Sequence, residues 1–187
     1  ILTSKLLGIE DSSFTKSFDI AIQLGAILAV VVLYWKKLFA GSAMLKKVLI
    51  AFLPTGIIGF LFYKFIKDFL LSSVLVVVWS LILGGIALIA FELWHKKRAF
   101  QPDQEISYKK SFIIGVVQAI SAIPGVSRSG ATMLGGLLMG MSRQAIVEFS
   151  FLLAVPTMAA ATGYDLLKNA KYFSFDQFYL LAVGFIV

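Results

Sequence analysis

Nine consecutive residues, Pro124-Gly125-Val126-Ser127-Arg128-Ser129-Gly130-Ala131-Thr132, bring together the groups that an oxyanion needs. Arg128 offers a planar fork of N–H donors that can grip two phosphoryl oxygens at once. Ser127, Ser129 and Thr132 add hydroxyl donors. Gly125 and Gly130 permit backbone conformations closed to other residues and let a ligand approach the main chain. Ser127 or Ser129 can cap a following helix, whose first N–H groups and positive dipole end would face the same anion. The set makes a phosphate-sized site. It is not a Walker loop, because GxxxxGK[ST] is absent.

The surroundings sharpen the question. Ser111 to Ile123 is apolar but only 13 residues long, about 20 Å as a helix. Met133 to Met141 is shorter still, so neither half spans a hydrocarbon core of about 30 Å. A helix, a polar break and a second helix predict a re-entrant hairpin over 111–141, opening and closing on the same side. Arg128 then lies at membrane depth, where a charge costs about 2.5–3.5 kcal/mol even on lenient scales. No Asp or Glu stands between Glu105 and Glu148 to offset it, which leaves an anionic ligand as the counter-charge. Two other readings stay open on these residues alone. One is a kinked helix whose Arg snorkels or meets a carboxylate elsewhere in the protein. The other is a transporter gate.

The elements that must position this loop are membrane spans. Of 187 residues, 59% are hydrophobic and 14% charged, against about 25% charged in soluble domains. The charges cluster between uncharged runs, as in a polytopic helical membrane protein. Spans are expected at Phe18–Trp35, Val48–Phe62, Phe69–Phe91 and Ala145–Leu167, with a last apolar segment at Phe178–Val187. The chain starts with Ile and that segment is short, so it reads as a fragment cut at both ends. Lys36, Lys37, Lys46 and Lys47 give one loop +4, residues 95–110 carry +3, and the turn at 64–68 only +1. The positive-inside rule places 36–47 and 95–110 in the cytoplasm. The net charge of +7 belongs to this topology, and no basic groove with interleaved aromatics points to nucleic acid. The chain has no cysteine, which excludes thiolate metal sites and disulfides.

Several other polar residues could support the site from behind. Asp19 and Gln23 share a helix face at i, i+4 spacing, and serve equally well as an interfacial acid and a packing amide. Gln118 lies six residues before Pro124, within reach of a substrate or of the facing hairpin. Glu148 opens a span, where a carboxylate suits the helix dipole.

At the nine-residue loop the chain resembles the bacterial undecaprenyl-diphosphate phosphatases, the bacitracin-resistance family, whose signature is PGxSRSGAT. Phe18-Asp19-Ile20-Ala21-Ile22-Gln23-Leu24-Gly25 is similar to the family's FExxIQLG stretch, with Asp19 where the family usually has Glu. Ser142-Arg143 and Glu148-Phe149-Ser150-Phe151-Leu152-Leu153-Ala154-Val155-Pro156 are similar to its SR and EFSFLLAVP stretches. The resemblance runs the length of the chain. It implies an all-α polytopic membrane protein of two inverted repeats, each opening with a re-entrant hairpin. Residues 1–94 would hold most of the first repeat without its hairpin, 95–110 the cytoplasmic loop, and 111–187 a truncated second repeat.

The activity implied is hydrolysis of undecaprenyl diphosphate to undecaprenyl phosphate and inorganic phosphate in the bacterial plasma membrane. This would recycle the carrier lipid of cell-wall synthesis and confer bacitracin resistance. Arg128 and Ser127 would be catalytic. Gly125, Ser127, Arg128, Ser129, Gly130 and Thr132 would hold the diphosphate. A divalent cation, Mg2+ or Ca2+, is implied, with its ligands in the family's glutamate-bearing signature outside these residues. On that basis residues 1–187 alone are expected to be inactive. A homo-oligomer is compatible with the sequence. The competing function is a transporter or flippase of an anionic polyprenyl lipid.

Overall fold

The computed structural model describes residues 8, 13–39, 42–70, 73–96, 105–169 and 182–183. Among them every regular element is helical: α1 (Ser13–Phe39), α2 (Ser42–Leu61), α3 (Val74–Lys96), α4 (Tyr108–Gln118), α5 (Arg128–Leu138) and α6 (Arg143–Asn169). Three of the described helices are long and apolar enough to cross a membrane, at Ser42–Leu61, Val74–Trp94 and Arg143–Tyr164. Helix α1 contains the expected span Phe18–Trp35. The expected segment Phe178–Val187 lies outside the described residues apart from two helical positions.

The chain forms two compact units. One comprises 1–38 and 154–187, with most of α1 and the C-terminal part of α6; the other is Phe39–Leu153. The loop that carries Arg128 belongs wholly to the second.

The third span begins later than its hydropathy predicts. Residues Ile66–Leu70 form a π-helical turn, and α3 starts at Val74 rather than Phe69. Ser73 supplies the reason, since its Oγ accepts from Val76 N–H at 3.4 Å. A serine cap satisfies a donor that an earlier start would leave open. At its other end α3 runs on through Lys96. Residues 97–104 of the expected loop lie outside the described residues.

The hairpin is built from two helices of 11 residues each, about 16 Å long apiece. It begins three residues before Ser111, because Ser107 caps α4 by accepting from Lys110 N–H at 3.2 Å. A 3-10 turn, Ala119–Ala122, extends α4 toward the break. Its second helix ends in a Schellman motif: Gly140 has φ +75°, Met141 N–H donates to Gly136 O and Gly140 N–H to Leu137 O, both at 3.1 Å. Ser142 then caps α6 through Ala145 N–H at 3.2 Å.

Contacts along the neighbouring spans give the hairpin its direction. Helix α4 runs parallel to α2. The Lys47 ammonium lies 5.9 Å from the Tyr108 ring centroid, Gly115 packs on Ala51, and Gln118 meets Thr55. Helix α5 runs parallel to α3, from Gly125 against Val77 through Gly130 against Leu88 to Arg143 against Glu92. Since α2 and α3 are successive spans, the chain enters and leaves the hairpin on one side. Single cysteines replacing Lys109 and Gln144, both exposed, should therefore react with an impermeant maleimide from the same compartment. Labelling from opposite faces would make this segment a full span instead.

The α2–α4 contact is the tightest in the unit. Val48, Ala51 and Ile114 are fully buried. Thr55 Oγ1 donates to Gly115 O at 3.0 Å and accepts from Gln118 Nε2 at 3.1 Å. A Cβ built on Gly115 would overlap the carbonyl oxygen of Ala51 and stand 2.8 Å from its carbon. Glycine allows this backbone approach, and the Thr55–Gln118 pair satisfies the buried polar groups it creates.

Candidate functional site

Ile123-Pro124-Gly125-Val126 makes the turn between the two hairpin helices, with Val126 N–H donating to Ile123 O at 3.1 Å. Proline second and glycine third, the latter at φ +93°, is the residue pattern of a type II turn. A side chain at Gly125 would also come within 2.6 Å of Val77 O. Sign of φ and close approach thus both require glycine there.

Ser127 follows in an extended conformation and caps α5, its Oγ accepting from Gly130 N–H at 3.1 Å. Ser129 Oγ lies 3.3 Å from Ser127 Oγ, and both residues are exposed. The N–H groups of Arg128 and Ser129 begin the helix and have no intrahelical acceptor. Two hydroxyls, two backbone donors and a helix N-terminus therefore share one small surface.

Arg128 completes it. The residue is half-buried, and its Nη1 is buried with no hydrogen-bond partner among the described residues. A guanidinium nitrogen withdrawn from water costs free energy unless something accepts its protons. Between Glu105 and Glu148 the chain has no carboxylate to do so.

Thr132, expected among the phosphate donors, turns into the protein. It is 1% exposed, 3.0 Å from Ser129 O and 3.1 Å from Arg128 O, and its Oγ1 lies 2.6 Å from Ser150 Oγ. Thr132 and Ser150 thus share a hydrogen bond between their hydroxyls. The pair ties the first turn of α5 to α6, so Thr132 holds the Arg128 turn in place from behind. Gln118, expected near substrate or the facing hairpin, is 1% exposed and bound to Thr55 of α2. It fixes the first hairpin helix, away from the break. Asp19 and Gln23 lie on α1, in the other unit; Gln23 is exposed, and the Asp19 side chain is outside the described residues. Glu148 sits in the second turn of α6 and lines a polar cavity of about 310 Å³ with Lys47 and Glu105.

The structure adds Ser150, Thr55 and the Glu92–Arg143 ion pair at 2.7 Å to these residues. A hydroxyl inside an otherwise apolar span was the available signal for the first two, since such groups find partners between helices. For the ion pair there was none, as its members are 51 residues apart.

A helical membrane protein with a broken, arginine-bearing helical hairpin is the class that this fold and this turn define. The family model described as Bacitracin resistance protein BacA matches residues 1–187, and the chain belongs to that family. It is 54% identical to the undecaprenyl-diphosphatase of Aquifex aeolicus (strain VF5), over all of this chain and 73% of that protein. It is 53% identical to the undecaprenyl-diphosphatase of Persephonella marina over the same shares. The one from Sulfurihydrogenibium sp. is 50% identical, over all of this chain and 74% of that protein.

The divalent cation implied by the family resemblance does not fit the residues described. No group of three His, Asp or Glu side chains that could hold a metal ion occurs among them, and the turn offers only hydroxyls, backbone N–H groups and a cation.

Proposed function

We propose that this protein hydrolyses undecaprenyl diphosphate to undecaprenyl phosphate and inorganic phosphate, with the Ser127–Gly130 turn as its diphosphate clamp. The observation that carries this reading is the buried Nη1 of Arg128, which has no hydrogen-bond partner among the described residues, beside the exposed Ser127 and Ser129 hydroxyls at the start of α5. A diphosphate supplies the missing acceptor. Helix dipole, serine hydroxyls and guanidinium then act on one anion, and the arginine offsets charge that grows on the phosphoryl oxygens as the anhydride P–O bond breaks. The relatives named above, undecaprenyl-diphosphatases at about half identity, support the same chemistry.

Ser127 orients the substrate in this reading. Its Oγ already accepts from Gly130 N–H, and the hairpin has no His, Asp or Glu to take its proton. Nucleophilic attack by serine needs such a base. The inverted-repeat plan, a plasma-membrane location, a divalent cation bound by other residues and bacitracin resistance belong to the same proposal.

Full-length protein in detergent with undecaprenyl diphosphate provides the test. Release of one phosphate per lipid, leaving undecaprenyl phosphate, is expected. Lipid movement between leaflets of a proteoliposome without phosphate release would replace the phosphatase with a flippase. Broken, re-entrant helices also serve that function.

A further inference from the structure

An apolar groove of about 340 Å³ lies between α3 and α5. Leu88, Ile89 and Leu93 form one wall; Met133, Leu134 and Leu137 form the other. Its upper end begins at the anion turn, where Leu88 Cδ1 comes within 3.3 Å of a Cβ built on Gly130. The lower end is closed by the Glu92–Arg143 ion pair, which also lines it. Ile89 and Leu93 are 64% and 59% exposed, so the groove is open along its length on the α3 side.

We propose that this groove binds the isoprene units nearest the diphosphate and so selects lipid-linked diphosphates over short ones. The inference rests on the phosphatase reading for its substrate. Three observations single out this occupant. The α5 helix carries Arg128 at its first position and the groove wall from one turn further on, so a head group on the turn delivers its tail directly into the cleft. Both walls are apolar, so a prenyl chain arriving from lipid packs against them through dispersion contacts at no desolvation cost. The volume matches a small-ligand pocket, enough for a few isoprene units; the rest of a long tail leaves along the open side into the bilayer.

The Glu92–Arg143 pair marks where the groove stops. A tail that followed it to the end would press against two charges, so the chain must turn outward past Leu93. Chain length beyond the first few units should therefore matter little, whereas the presence of those units should matter greatly.

The test uses full-length protein and two substrates, undecaprenyl diphosphate and dimethylallyl diphosphate, whose single isoprene unit scarcely enters the groove. Ile89→Trp fills the cleft from an exposed position and leaves the core untouched. It should lower the ratio of kcat/KM for the long over the short substrate by about tenfold or more, the scale on which apolar pockets discriminate. Leu83→Trp, an equally exposed position on α3 outside the groove, should leave that ratio as it is. An unchanged ratio in Ile89→Trp would overturn the proposal. Wild-type protein that releases no phosphate from either lipid would sink the phosphatase reading instead. In that event a diazirine-bearing farnesyl diphosphate decides the groove by itself. Labelling within 88–93 or 133–137 supports it. Labelling confined to other segments overturns it and leaves the cleft to another part of the protein.

Discussion

Arg128→Lys in the full-length protein should lose phosphate release nearly as completely as Arg128→Ala, each by on the order of 10²–10³-fold, the scale for removing one well-placed donor from a developing oxyanion. The reason is geometric. Lysine keeps the charge but presents it as a point on a flexible stem, so it cannot hold two phosphoryl oxygens in one plane. The Nη1 of Arg128 is buried with no hydrogen-bond partner among the described residues, which leaves at least one arm of the fork available to a bound phosphoryl oxygen. The kinetic form of the loss is informative too. A contact that tightens in the transition state shows in kcat, and one made equally in the ground state shows in KM. Steady-state phosphate release from undecaprenyl diphosphate is the measurement, with gel filtration in detergent to check folding. Near-native turnover by Arg128→Lys would remove the bidentate clamp, leaving a simple counter-ion. Near-native turnover by Arg128→Ala would remove Arg128 from the site altogether.

Gly115→Ala should be the most damaging single methyl in the hairpin. The new Cβ meets the backbone of Ala51, at 2.8 Å from its carbonyl carbon and 2.9 Å from its Cα, and backbone cannot rotate aside as a side chain can. Overpacking of this kind costs about 1–3 kcal/mol, occasionally more, and here relief requires α4 to move off α2. That movement would also break the Thr55 bonds to Gly115 and Gln118, each worth about 1 kcal/mol net and more when a buried group is left unpaired. For a chain of this size 3 kcal/mol corresponds to roughly 6–12 °C in Tm. Gly59→Ala on α2 is the control, because nothing lies within 4 Å of its added Cβ and alanine is the better helix former. Thermal unfolding in detergent, followed by light scattering, compares the two. If Gly115→Ala melts no earlier than Gly59→Ala, the α2–α4 contact is not what anchors the hairpin. Because α4 leads directly into the turn, the variant should also release phosphate more slowly at temperatures where it is still folded.

The membrane class and the break were readable from residues close together in the chain. Charge clustering located the spans, since a helix interior at membrane depth tolerates few charges. The Pro124-Gly125 turn and the Ser127 cap followed from short-range rules, because their geometry is set within three or four residues.

What tertiary structure decided is which way each polar side chain faces. Thr132 and Ser127 are five residues apart in one motif, yet Ser127 looks outward and Thr132 is locked to Ser150. That difference depends on the rotation of α5 about its axis against α6. Likewise Gln118 belongs to Thr55, 63 residues away, because Gly115 lets α4 settle on Ala51 in one register. The groove beside Leu88 and the Glu92–Arg143 pair exist only once α3 and α5 lie side by side. Helical periodicity says which residues share a face, but the partner of that face is chosen by packing between segments distant in the chain. No local pattern in the sequence encodes it.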